Sequence, residues 1–335
     1  MRLRSRLIIA LALAALIVPV LAAPAGAASN RASAEHARIL AYWTPARLNA
    51  ATPRDLKPVG VPTPKGKPSS GSGVTGASWT GGGAVLARTG KVFFSMAGGN
   101  WQCSGSIVSD GNRAGFSMVL TAGHCGVDET TGIFATNWMF MPNWDGQPAT
   151  FSTACSGTLY GCWTADNGQG GGLYVDRDFA TAGSFNNQAV SHDWTFAVVG
   201  PGGLNGTTQL DTLLGSYPIA FNATSSGATL GAFGYPAAGK YHGNDLSYCS
   251  GPIFQDSNSA NLTWGMACDM TGGSSGGPWF DNYNAGNQTS WTLASLNSYG
   301  YGGVKNMYGP KFNSETSATY NAARTDNSVG DTQVP

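Results

Sequence analysis

From about Gly90 onward the chain is written in short apolar runs of four to ten residues, closed by glycine, asparagine or serine. "KVFFSM" (91–96), "SGSIVS" (104–109) and "FSMVLTA" (116–122) come first. "DWTFAVVG" (193–200), "ATLGAFGY" (228–235), "GPWF" (277–280) and "WTLASLNSYG" (291–300) follow. Runs of this length, rich in β-branched and aromatic residues, predict strands. Glycine-rich stretches such as "DNGQGGG" (166–172) and "GPGGLNG" (200–206) predict the loops between them. One late helix is expected over "SETSATYNAAR" (314–324), with Ser314 as its N-cap. Many short strands separated by turns predict a sandwich or barrels. The roughly 250 residues available exceed what one small barrel needs, so two are expected.

The N-terminal region follows another pattern. Arg2, Arg4 and Arg6 precede the apolar "LIIALALAALIVPVLA" (7–22), and "APAGAAS" (23–29) supplies small residues. This is the layout of a secretory signal peptide cleaved after Ala27 or Ala28. Pro19 and the small-residue exit argue against a membrane anchor. No paired arginines precede the apolar run, which favours the general secretory route over folded export. "KPVGVPTPKGKPSSGSG" (57–73) predicts a flexible linker where processing would occur. The expected organisation is a signal peptide (1–28), a basic propeptide and linker (29–80), two β-barrels (81–208 and 209–325) and a C-terminal tail (326–335).

Charge sharpens this division. Charged residues are 11% of the chain, well under the usual quarter, and its formal net charge is zero. That zero combines two opposite pieces: residues 1–75 hold ten Lys/Arg and two Asp/Glu, residues 76–335 eight and sixteen. The acidic body makes nucleic acid a poor partner, and no later run is apolar for long enough to span a bilayer. The basic stretch could dock on the body before removal or act as a spacer. All six cysteines lie in the acidic part: Cys103, Cys125, Cys155, Cys162, Cys249 and Cys268. An even count behind a secretory signal favours three disulfides, and sequence alone permits fifteen pairings. Sequential pairing is expected. Cys103–Cys125 would fasten the strands flanking a histidine, and Cys249–Cys268 would brace the strand entering a serine loop. No C-x-x-C, H-E-x-x-H or regular Cys/His spacing supports a zinc site, and no metal or other cofactor is expected.

Three places carry chemistry. "LTAGHC" puts His124 at the end of an apolar strand beside Cys125. "HDWTFAVV" puts Asp193 just before another, with Asp176 and Asp178 as rivals for an acidic role. "TGGSSGGPWF" (271–280) is too poor in side chains for a core, yet Pro278, Trp279 and Phe280 read as the start of a packed strand rather than as linker. A serine nucleophile needs a base to take its proton and donors to hold the oxyanion it creates. Glycines around it let backbone N–H groups turn inward and let substrate come close.

His124, Asp193 and Ser275, in that order, resemble the triad of the chymotrypsin-like serine endopeptidases. T-A-G-H-C, D-x-x-x-A-V and G-x-S-G-G-P carry the resemblance, which covers roughly residues 91–324. The spacing in "CDMTGGSSGGP" is similar to the bacterial secreted glutamyl-endopeptidase, V8-like branch. The resemblance implies an all-β fold of two packed six-stranded antiparallel barrels, with the site in the cleft between them and a short C-terminal helix. It implies His124 as general base and then acid, Asp193 as its orienting carboxylate, and Ser275 as nucleophile, with Ser274 where many members carry aspartate. The N–H groups of Gly273 and Ser275 would form the oxyanion hole. Asn297, Ser298, Tyr299 and Gly300 match the segment that pairs with extended substrate. Asp269 stands where trypsin-like members bind Lys or Arg, and Asn297 where Glu-specific members carry histidine, so basic, acidic and uncharged preferences all stay open.

The sequence also departs from the family. No I-V-G-G start is present and Ser274 is not acidic, so the family's N-terminal activation device is not expected, and Thr271 stands where the family's usual cysteine is. G-x-S-x-G also fits an α/β-hydrolase elbow, but no histidine follows His242 to serve a serine at 275. The expected protein is a secreted, extracellular, monomeric endopeptidase acting on polypeptides, free of the membrane once its signal is removed. A catalytically inactive homologue acting as a binding module is the alternative.

Overall fold

The computed structural model describes residues 25–60, 75–145, 155–165, 171–283, 287–326 and 330–335, with side chains from residue 34 on. The apolar segment 7–22, most of the linker (61–73) and part of the glycine-rich stretch (166–170) lie outside these residues.

Two helices, α1 (Ala25–Tyr42) and α2 (Pro45–Ala50), lead to a two-residue strand β1 (Thr52–Pro53). Beyond them come β2 (Ala77–Ser78) and α3 (Gly83–Arg88). The first sheet contains β3 (Thr89–Met96), β4 (Gly99–Val108), β5 (Ser117–Thr121), β6 (Thr136–Pro142), β7 (Trp163–Thr164), β8 (Gly172–Asp176) and β9 (Thr195–Val199). Short helices α4 (Arg177–Ala180) and α5 (Asn187–Ser191) join β8 to β9, and α6 (Leu210–Leu214) leads away. Six strands run β9-β5-β4-β3-β6-β7 and curl until the ends meet. Ala165, just past β7, bridges Val199 of β9, and Gly200 N–H donates to Thr164 O at 3.4 Å. Val92, Phe94, Ile107, Val119, Phe140 and Val198 are fully buried.

The second sheet contains β10 (Thr229–Gly234), β11 (Ser247–Gln255), β12 (Thr263–Ala267), β13 (Pro278–Asp281), β14 (Thr292–Leu296) and β15 (Asn306–Pro310), in the order β14-β13-β10-β11-β12-β15. It closes where Tyr299 bridges Tyr308, with Ser298 N–H on Tyr308 O at 2.8 Å and Tyr308 N–H on Tyr299 O at 2.9 Å. A Cβ on Gly309 would strike Leu296 O, so the seam requires glycine there. The expected pair of six-stranded antiparallel barrels is therefore present. Among the described strands, the short additions β1 on β4 and β16 (Thr332–Val334) on β8 pair in parallel.

The expected late helix forms as α7 (Ser314–Thr325), but its N-cap is Asn313 rather than Ser314. Asn313 Oδ1 accepts from the N–H groups of Glu315 (2.9 Å) and Thr316 (3.0 Å), and Thr316 Oγ1 accepts from Asn313 N–H. An amide one residue earlier reaches the free N–H groups better than the serine would. α7 covers the outer side of β9 with Tyr320 against Phe196, ring centres 5.6 Å apart. The three disulfides pair sequentially: Cys103–Cys125, Cys155–Cys162 and Cys249–Cys268.

Candidate active site

β5 ends at Thr121, and a single 3-10 turn, Gly123–Cys125, carries His124. The Cys103–Cys125 bridge ties that turn to β4. Asp193 stands just before β9, the sheet neighbour of β5. Its Oδ1 accepts from the His124 backbone N–H at 2.8 Å, and its two oxygens lie 3.1 and 2.9 Å from the imidazole Nδ1. Ser298 Oγ donates to the same carboxylate. Gly123 must be bare, because a Cβ there would stand 2.9 Å from Asp193 Oδ1 and 3.1 Å from the Phe179 ring. A carboxylate on Nδ1 keeps the proton on that nitrogen and leaves Nε2 as an acceptor. Nε2 is buried and has no hydrogen-bond partner among the described residues. The rivals Asp176 and Asp178 sit elsewhere. Asp176 caps α4 through Asp178 N–H, and both carboxylates gather around His192.

Ser275 lies on the bare loop between β12 and β13. Ser104 of β4 pins this loop to the first barrel: its N–H donates to Ser275 O (2.7 Å) and its Oγ to Gly273 O (2.8 Å). Two further carbonyls aim the loop's N–H groups. Gly272 O accepts from Ala237 N–H at 2.8 Å, and Ser274 O accepts from Asn297 Nδ2 at 3.1 Å and Gly277 N–H at 2.9 Å. In a trans peptide the N–H points opposite to the C=O. The N–H groups of Gly273 and Ser275 are therefore turned away from these partners, and neither has a hydrogen-bond acceptor among the described residues. Gly273 holds φ +98°, a conformation suited to glycine. The two serines differ: Ser274 Oγ donates back to Thr271 O at 2.8 Å, whereas Ser275 Oγ has no such bond among the described residues.

Ser275 and Ser298 open onto a cleft of about 700 Å³ that Met270, Thr271, Tyr299 and Gly300 also line. Asp269 lines it too, but its charge is already engaged. Tyr241 Oη, Gly76 N–H (2.8 Å) and Lys240 Nζ (3.2 Å) all reach it. Burial alone would raise its pKa; these donors and the ammonium together hold it below the usual value. Asn297, expected in the substrate segment, has its side chain turned into the protein behind the serine loop. It is fully buried, with Oδ1 on Trp279 Nε1 (2.7 Å) and Nδ2 on Phe233 O (2.7 Å) and Ser274 O. Its backbone N–H and C=O go to Gly277 O and Gly276 N–H. It holds the serine loop from behind. Neither this role nor that of Ser104 was read from the sequence, where both are ordinary residues beside better-known motifs.

Two closed antiparallel barrels meeting at such a corner define the chymotrypsin fold. Protease Anisep from Arthrobacter nicotinovorans is 37% identical, with 75% of this chain covering 100% of that one at a TM-score of 0.60. The thermostable serine protease AL20 from an extremophilic microorganism is also 37% identical, with 73% of this chain covering 100% of that one at 0.58. A Glu endopeptidase shares the fold at 17% identity, 75% and 97% coverage and a TM-score of 0.52. No protein-family model matches the chain, and no curated protein matches it. The chain belongs to the chymotrypsin-fold serine proteases. The likeness to the Glu endopeptidase is one of fold alone. Three disulfides suit an oxidising, extracellular setting, and no helix of the described residues is long and apolar enough to cross a membrane.

Proposed function

We propose that the chain is a secreted serine endopeptidase that cuts polypeptides through an acyl-enzyme, acting as a monomer and without a cofactor. Ser275 Oγ attacks the scissile carbonyl while His124 Nε2 takes its proton. His124 then returns that proton to the leaving amine, and water repeats the cycle on the acyl-enzyme. Asp193 stabilises the imidazolium, and the N–H groups of Gly273 and Ser275 hold the oxyanion. The observation that carries this reading is the buried carboxylate–imidazole pair with its outer nitrogen unpartnered. Ser298, Tyr299 and Gly300 offer the strand on which extended substrate would lie, and the engaged Asp269 disfavours a pocket built for Lys or Arg.

An active-site phosphonate, which reacts with an activated serine, tests the assignment. Wild-type protein freed of its N-terminal segment should label and cleave peptides. Ser275→Ala should lose activity by on the order of a million-fold, while Ser274→Ala keeps it within a few fold. Activity in the Ser275 variant with loss in the Ser274 variant would move the nucleophile by one residue.

A further inference from the structure

Asp256, at the end of β11, is 2% exposed, and no cation pairs with it among the described residues. A carboxylate taken out of water without a cation must be met by hydrogen-bond donors. Its two oxygens are met differently. Oδ1 accepts from Asn258 N–H at 3.0 Å and caps the turn between β11 and β12. Oδ2 accepts from the hydroxyls of Tyr299 and Tyr301, both at 2.8 Å, with Thr263 Oγ1 at 3.4 Å. Burial first, and then the carboxylate, push both phenol pKa values up, so both hydroxyls stay protonated donors. One oxygen thus serves the turn, and the other serves two tyrosines that line the substrate cleft.

The chain around these tyrosines explains why they need an anchor. Tyr301 is followed by Gly302 and Gly303, an exposed turn in which neither glycine has another group within 4 Å of where a Cβ would stand. Glycines restrain the backbone least, so the Tyr301 ring is fixed from its hydroxyl end and by the Tyr308 ring, 4.9 Å away. Tyr299 stacks on the same Tyr308 at 5.2 Å and meets Phe185 edge-on at 6.1 Å; Phe185 in turn stands 5.8 Å from the His124 ring. An aromatic wall therefore runs from the proposed base along the cleft. It accommodates an aliphatic side chain, because Leu56 packs against it. The backbone of the segment is held separately, by Ser298 N–H on Tyr308 O and Tyr308 N–H on Tyr299 O, and Ser298 keeps its bond to Asp193 without help from the phenol hydroxyls.

We infer that Asp256 is a positioning residue for substrate: through Tyr299 and Tyr301 it fixes the wall that receives a leucine-sized aliphatic side chain before the cut bond. The inference rests on the protease reading above. Asp256 touches no reacting atom, so its contribution falls on the binding of extended polypeptides rather than on the chemical step.

The test uses the protein in the form that reacts with an active-site phosphonate. Asp256→Asn keeps an oxygen for Asn258 N–H and replaces the other acceptor by an amide NH2. Peptides carrying leucine or glycine at the second to fourth residue before the cut bond are compared, beside a single-residue ester too short to reach the wall. In wild type, leucine should raise kcat/KM by about tenfold or more. Asp256→Asn should lose most of that advantage, chiefly through KM, and its loss on the leucine peptide should exceed any loss on the ester by about fivefold or more. The double variant Tyr299→Phe, Tyr301→Phe deletes only the two hydroxyls and should behave alike; adding Asp256→Asn to it should change the discrimination by less than about twofold. The tyrosine pair decides the matter alone should the asparagine variant not fold. A wild type indifferent to leucine, an unaltered advantage in the variants, equal losses on ester and peptide, or additive losses in the triple variant would each overturn the inference. If wild type neither labels nor cleaves, the protease reading fails and the inference falls with it, whereas a labelling enzyme with any of the preceding results sinks the inference alone.

Discussion

Gly276 is a place where one absent methyl group joins two barrels into one site. It holds φ +80°, and a Cβ there would run into Thr121 Oγ1 and Ser104 O, both on the first barrel. Gly276→Ala should push the serine loop off β4 and lower kcat/KM by about a hundredfold, the usual consequence of displacing a catalytic group by about 1 Å. Steady-state kinetics alongside a melting curve would show the loss in a still-folded protein; unchanged kinetics would mean that the loop is not held by this contact. Asp269 carries the opposite expectation. Its carboxylate is engaged by Tyr241, Gly76 and Lys240, so Asp269→Ser should leave the order of preference among side chains before the cut bond intact, as read with a varied fluorogenic library. A lost preference for Arg or Lys would show that the carboxylate faces the substrate after all. The proposed triad, His124, Asp193 and Ser275, is legible because each member sits in a distinctive local motif. Ser104 and Asn297 act across the fold, through partners 131 to 171 and 18 to 64 residues away, and nothing local marks them.

Among the elements, those with strong local signals were readable. β3, β5, β9 and β10 are dense in apolar residues, and α7 has polar caps and a helical pattern. The cap makes a simple test: Asn313→Ala removes two side-chain acceptor bonds and should cost about 1 kcal/mol, lowering the melting temperature by about 2–4 °C. Asn313→Ser should keep most of the stability, and equal melting of wild type and the alanine variant would show that α7 is held by its packing alone. β11, β12 and β15 escaped prediction because glycine or proline interrupts each of them, and Gly265 and Gly309 stand where neighbouring strands crowd. α1 escaped for another reason. The basic, proline-rich chain after it suggested a spacer throughout, although His36, Ile39 and Trp43 are spaced three and four apart and all are buried on one side. The C-terminal residues, expected to trail, instead add β16 beside β8.

At the scale of the whole molecule, a basic N-terminal piece is seated on an acidic body. Net charge would draw the two together, but salt screens such attraction over about 8 Å at physiological ionic strength. The buried contacts therefore set the grip, and one of them titrates. His36 lies on α1 with Nδ1 2.9 Å from Thr164 Oγ1 and Nε2 buried without a hydrogen-bond partner among the described residues. The nearby charges of the same helix, Glu35 and Arg38, pair with each other at 2.7 Å. Burial lowers the pKa of His36 from the ordinary 6.5, so the undocked segment takes up a proton at a higher pH than the docked one. Docking is then strongest above about pH 6.5 and weakens as pH falls from there, until the docked imidazole is itself protonated. In chain cut by an added protease between Gly60 and Thr75, the dissociation constant of the N-terminal segment should rise between pH 8 and pH 5, measured by fluorescence of its Trp43 or by gel filtration on dilution. His36→Gln, which cannot titrate, should flatten that dependence while leaving the segment able to dock at pH 8. A variant that keeps the full wild-type slope would place the titrating group elsewhere in the interface.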